Sequence, residues 1–139
     1  MFKLKLLKEY TYLTICDIDF NVLIDFDYDN EILLYSLRYE DHNYNSGEFL
    51  INFEKKFDEE NVDKIIKTFM LDHIWSEVNC FIEDNDDLNE WTVSTTESGL
   101  KLKNKSTNQC ITWKVHNLEN DCELVQDGMI KFLKSQQVK

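Results

Sequence analysis

The stretch DIDFNVLIDFDYDNEILLYSLRY, residues 17–39, decides the fold. Between residues 17 and 29 the parity never slips. Ile18, Phe20, Val22, Ile24, Phe26 and Tyr28 fall on one side, and Asp17, Asp19, Asn21, Leu23, Asp25, Asp27 and Asp29 on the other. Successive side chains of a strand point to opposite faces, so this period of two predicts a strand with one buried and one wet face. Asp29-Asn30 suits the positive φ of a tight hairpin turn, and Leu33, Tyr35, Leu37 and Tyr39 resume the alternation. A two-residue loop sets Phe26 opposite Leu33, Ile24 opposite Tyr35, Val22 opposite Leu37 and Phe20 opposite Tyr39. Both apolar rows then share one face, with Phe20, Val22, Ile24 and Phe26 in the core. The aspartates form a row on the other face, spaced about 6.8 Å apart.

Working outward, residues 2–15 read as a strand with Leu7, Leu13 and Ile15 on the core parity. With Cys16-Asp17 as the turn, Ile15 pairs with Ile18 and Leu13 with Phe20, and Lys8 falls opposite Asp25. Residues 41–47 (DHNYNSG) form a turn cluster, and Phe49, Ile51 and Phe53 mark a fourth strand. Asp58 is a helix N-cap with Phe57 stapled onto Val62. Val62, Ile65, Ile66, Phe69 and Met70 make a stripe at helical spacing, which His73, Ile74, Val78, Phe81 and Ile82 either continue or repeat in a second helix. Residues 83–90 (EDNDDLNE) are a solvated acidic loop. Trp91, Val93 and Thr95, then Leu100 and Leu102, then Ile111, Trp113 and Val115 alternate as three strands. Asn117 caps a last helix carrying Leu118, Cys122, Val125, Met129, Phe132 and Leu133. The expectation is one α+β domain: an N-terminal four-stranded antiparallel meander, a C-terminal three-stranded meander, and two to three helices.

The chain has 139 residues, no proline, three glycines and a net charge of −12. Its apolar fraction of 42% argues against disorder. No apolar run approaches the ~20 residues of a membrane span, and lysines interrupt the first eight residues where a signal peptide needs an apolar core. A cytoplasmic protein with no membrane contact is expected. The four cysteines lack CxxC spacing and are expected to be reduced and buried rather than bridged. Charge is concentrated: residues 17–90 hold 21 acids against five bases, while both flanks are weakly positive. Such a field repels nucleic acid and anionic lipid and steers a basic partner.

No reaction is named by the residues. Asp25, Asp27 and Asp29 imitate the start of a calcium loop, but Asn30 and Ser36 stand where the loop needs glycine and glutamate. His73, Glu77 and Cys80 share a helical face without the further ligands a structural zinc requires. His116 and Cys122 lack an orienting group or an oxyanion loop. No metal or cofactor is expected.

Two acidic sets remain as candidate partner-binding residues: Asp17, Asp19, Asp25, Asp27 and Asp29 on the first sheet, and Glu83, Asp84, Asp86 and Asp87 in the loop. Leu23, Ile32 and Leu34 share the aspartates' face, with Tyr10 and Tyr12 beside them on the expected pairing. Apolar and tyrosyl groups among acids are what a protein interface carries. In size and charge the chain resembles bacterial immunity proteins, small acidic α+β inhibitors of toxins that are often basic nucleases. That resemblance implies a non-enzymatic protein that binds one cognate toxin domain and blocks its active face. The alternatives are a phage-type nucleic-acid mimic inhibiting a defence protein, and a small enzyme or ligand-binding domain whose site assembles from scattered residues.

Overall fold

The computed structural model describes residues 4–44 and 47–137. Four antiparallel strands come first: β1 (Leu4–Ile15), β2 (Ile18–Asp27), β3 (Ile32–Asp41) and β4 (Glu48–Glu54), paired in sequence order. A single helix, α1 (Glu59–Glu83), follows, then a short 3₁₀ helix (Asp86–Leu88). A second antiparallel sheet, β5 (Trp91–Thr95), β6 (Gly99–Asn104) and β7 (Cys110–Lys114), precedes α2 (Leu118–Gln136). The fold is α+β. The chain divides into two compact units, with the boundary after Ile66 inside α1.

In the first unit the central hairpin has the expected register: Phe26↔Leu33, Ile24↔Tyr35, Val22↔Leu37 and Phe20↔Tyr39. Its turn differs. The ladder stops at Asp27↔Ile32, and the positive φ falls on Glu31 rather than on Asp29 or Asn30. The cause is the Asp27 carboxylate, which accepts the backbone N–H groups of Asp29 and Asn30 at 3.0 and 3.3 Å and opens the loop to four residues. Cys16 and Asp17 both have positive φ, as a two-residue hairpin turn requires, and Ile15 pairs with Ile18 and Leu13 with Phe20.

Two register shifts in β1 then break the expected pairing. Lys8 faces Ile24 rather than Asp25, Leu6 faces Asp25, and Leu7 is exposed rather than in the core. A further shift in β4 separates Phe49, opposite Tyr39, from Phe53, opposite Ser36, so these two rings lie on opposite faces.

α1 packs on the face of Phe20 and Val22. Asp58 caps it, its carboxylate accepting from Glu60 and Asn61 N–H at 3.1 and 3.4 Å. Tyr12 Oη donates to Asp63 at 2.8 Å. Phe57 stands 6.0 Å from both the Tyr12 and the Tyr35 rings, and with Val62 it closes over Val22 and Leu37. Six buried positions of α1 recur every four residues, Val62, Ile66, Met70, Ile74, Val78 and Ile82, and Leu71 is buried beside Met70. At 3.6 residues per turn each such step rotates the seam by about 40°, about 200° in all. The helix therefore has no single apolar face along its length, although it is one unbroken helix.

In the second unit the loop after α1 is less solvated than its composition suggests, because Leu88 is fully buried. Leu100 and Leu102 fill the sheet side of the core, and Cys122, Val125, Met129 and Leu133 supply the α2 side. Phe132 meets Trp91 and Trp113 at 5.3 and 6.0 Å. Asn117 caps α2 through Asn120 N–H at 3.0 Å. Gly99 lets β6 approach β7 closely, since a Cβ there would collide with the Trp113 carbonyl. Of the four cysteines, expected to be buried, only Cys122 is; Cys80 and Cys110 are exposed and Cys16 is half-buried.

Candidate partner-binding surface

Residues directly opposite one another in a sheet share a face. The registers therefore define the face of the first sheet that points away from Phe20 and Val22. Its rows run Thr14–Asp19–Glu40–Glu48, Thr11–Asn21–Arg38–Leu50, Glu9–Leu23–Ser36–Phe53, Leu6–Asp25–Leu34 and Leu4–Asp27–Ile32. Leu6, Leu50 and Phe53 are 50%, 58% and 52% exposed. Leu23 and Leu34 lie buried between them, and together the five form an apolar band from one edge of the sheet to the other. Glu9, Asp19, Asp25, Glu40 and Glu48 stand around that band. Tyr10 and Tyr12 are not part of it. The β1 shifts turn them to the helix side, where burial and then the bond to Asp63 raise the Tyr12 hydroxyl well above its ordinary pKa.

The middle of this face is polar and incomplete. Asn21 Nδ2 donates to Glu48 at 2.8 Å, and Arg38 Nη1 lies 3.8 Å from the same carboxylate. Asn21 Oδ1, Ser36 Oγ and Arg38 Nε are buried without a hydrogen-bond partner among the described residues. A buried polar atom left unpaired costs about 1–3 kcal/mol.

The candidate aspartates are not equivalent. Asp27 is only 3% exposed. It accepts from Asn30 Nδ2 at 2.7 Å as well as from the two turn N–H groups, and the Asn30 amide foremost holds it below the usual carboxylate range. It is a turn residue, not a wet-face contact. Asp19 accepts from Thr14 Oγ1 and bonds His42 Nε2, each at 2.7 Å, and these contacts, Thr14 first, lower its pKa. The His42 ring in turn is raised by Asp19 foremost, with Glu40 3.7 Å from Nδ1. Asp25 is half-buried beside Leu34, and Asp17 and Asp29 are exposed at the two turns.

The second acidic set also splits. Glu83 accepts from Asn79 Nδ2 at 3.1 Å, and Asp87 from Gln137 Nε2 at 3.3 Å. Asp84 is exposed, and Asp86 opens the 3₁₀ helix. No group of three or more His, Cys, Asp or Glu among the described residues is placed to hold a metal ion. No helix among them is long and apolar enough to cross a membrane.

Alternation alone did not reveal Glu48, Leu50, Phe53 and Arg38 as site residues. The one available signal was composition: β4 (EFLINFE) pairs four large apolar residues with glutamates at both ends. Comparison with known protein families, curated proteins and solved structures finds no match.

Proposed function

We propose that this chain is a protein-binding inhibitor, of the kind represented by bacterial immunity proteins, which docks a basic toxin domain on the face of its first sheet opposite Phe20 and Val22. The observation that carries this reading is the half-exposed apolar band of Leu6, Leu50 and Phe53, ringed by Glu9, Asp25, Glu40 and Glu48. An apolar centre with a charged rim is the anatomy of a protein interface. The unpaired Asn21, Ser36 and Arg38 atoms give a partner's polar groups something to complete. The net charge of −12 steers a basic partner toward the surface. A phosphate-mimicking function is less well supported, because a mimic needs an evenly presented row of carboxylates. Here Asp27 is consumed by its turn and Asp19 by Thr14 and His42.

The test is affinity capture from the source cells with the wild-type chain and with a Leu50→Ser, Phe53→Ser variant. The captured protein is then purified and titrated at two ionic strengths. A basic partner whose retention is lost with the variant, and whose association slows with salt and with Asp25→Asn, supports the reading. A partner held equally by both baits places the interface elsewhere.

A further inference from the structure

A cleft of about 370 Å³ opens in the second unit, bounded by the end of α1, the 3₁₀ helix, β5 and the β6–β7 turn. Its volume is that of a small-molecule site, about 300–1,000 Å³. Buried Ile82, Trp91 and Val93 form an apolar floor. That floor is fixed from behind: the Trp91 ring meets Phe132 edge-on, and Trp75 Nε1 donates to the Val93 carbonyl at 2.9 Å. Above the floor stand charges of both signs. Glu83, oriented by Asn79, and Asp86 come from the helical side. Lys105 comes from the β6–β7 turn, which its own N–H anchors to the Glu90 carbonyl at 2.8 Å. Among the described residues no ion pair joins Lys105 to either acid, so both signs remain available to a ligand.

We propose that this cleft binds a small zwitterion whose ammonium and carboxylate are separated by an aliphatic chain. The ammonium lies at Glu83 and Asp86, the carboxylate at Lys105, and the methylenes lie over Ile82 and Trp91. Selectivity follows from the mixed rim. A diamine meets Lys105 with like charge, and a fatty acid meets Glu83 and Asp86 with like charge; only the zwitterion is matched at both ends. The site is independent of the sheet face described above.

The probe is ε-aminocaproate, titrated into the ¹⁵N-labelled full chain at low salt, with cadaverine and caproate as single-sign controls. Saturable shifts are expected at the Trp91 indole, the Asn79 and Asn89 side-chain amides and Lys105, with a Kd near or below about 1 mM and at least about tenfold tighter than either control. Lys105→Met should reduce the zwitterion to the affinity of the diamine. Glu83→Gln with Asp86→Asn should weaken the zwitterion by at least about tenfold, toward the affinity of caproate, while the rest of the spectrum is unchanged. No saturable shift, shifts elsewhere, equal binding of a control, or indifference to these substitutions overturns the proposal.

Discussion

Phe20 and Phe26 sit on the same parity of the same strand, yet their loss should have different consequences. Phe20 is fully buried, whereas Phe26 is half-buried at the turn end of the sheet, opposite an exposed Leu33 and 4.9 Å from the Tyr28 ring. Phe20→Ala leaves a cavity that its neighbours cannot fill and should cost about 3–5 kcal/mol. Phe26→Ala forfeits about half the transfer energy of a phenyl ring, roughly 1–1.5 kcal/mol. The lost edge-on contact with Tyr28 adds about 0.5–1.5 kcal/mol. With a urea m-value of about 1–3 kcal/mol/M, a loss of ~4 kcal/mol moves the midpoint down by about 2 M, and Phe26→Ala moves it about half as far.

Asp27→Ala should also destabilise, because it leaves the Asp29 and Asn30 N–H groups without their acceptor, while Asp27→Asn keeps an acceptor and should be milder. Asp27 is held below its ordinary pKa, so its contribution is present above the unfolded carboxylate pKa of about 3.9 and is lost as the pH falls through the lower folded value. All three tryptophans lie in the second unit. The assay is therefore far-UV circular dichroism in urea, with amide exchange read at the β2 and β3 amides rather than tryptophan fluorescence. Equal costs for Phe20→Ala and Phe26→Ala, or a neutral Asp27→Ala, would show that the facing of β2 is other than described.

Three further outcomes follow from single contacts. The Asp19 carboxylate raises His42 above the ordinary imidazole range, so its stabilising contribution is complete below the unfolded value of about 6.5 and fades as the pH rises through the elevated folded value. Thermal midpoints of wild type and His42→Gln should converge on the alkaline side of that window and differ on the acid side. Gly99→Ala should prevent normal pairing of β6 with β7, seen as loss of amide protection in both strands, because the added Cβ meets backbone rather than a movable side chain. With Ellman's reagent, Cys80 and Cys110 should react at once, while Cys122 should react only as the protein unfolds.

Strand parity made the central hairpin legible, because a slip of one residue would have moved both apolar rows to the wrong face. The caps at Asp58 and Asn117 were legible for a similar reason, since few residue types accept a helix's first N–H groups. β1 was not, because LKLLK, residues 4–8, is apolar at 4, 6 and 7 and fits either register until the sheet chooses. The α1 stripe failed differently. Its four-residue recurrence continues without a breaker through residue 82, and sequence alone does not say whether a rotating seam belongs to one helix or two.

The acids mark a physical boundary between what composition tells and what only geometry tells. A carboxylate that accepts hydrogen bonds within its own turn or cap keeps its charge. Asp19, Asp27 and Asp121, each held below the usual carboxylate range by its hydrogen bonds, therefore still contribute to the field felt by an approaching molecule. That field acts over about a Debye length and governs encounter, so attraction for a basic partner is readable from a count of charges. Contact is different. A polar contact requires lone pairs not already taken, and an apolar one a side chain at the surface; by the first measure Asp27 drops out, and by the second the exposed Leu50 and Phe53 enter. On the proposed interface, neutralising Asp27 should alter association only as much as one unit of distant charge. Replacing Leu50 and Phe53 should act on dissociation, where the buried centre of an interface has its effect.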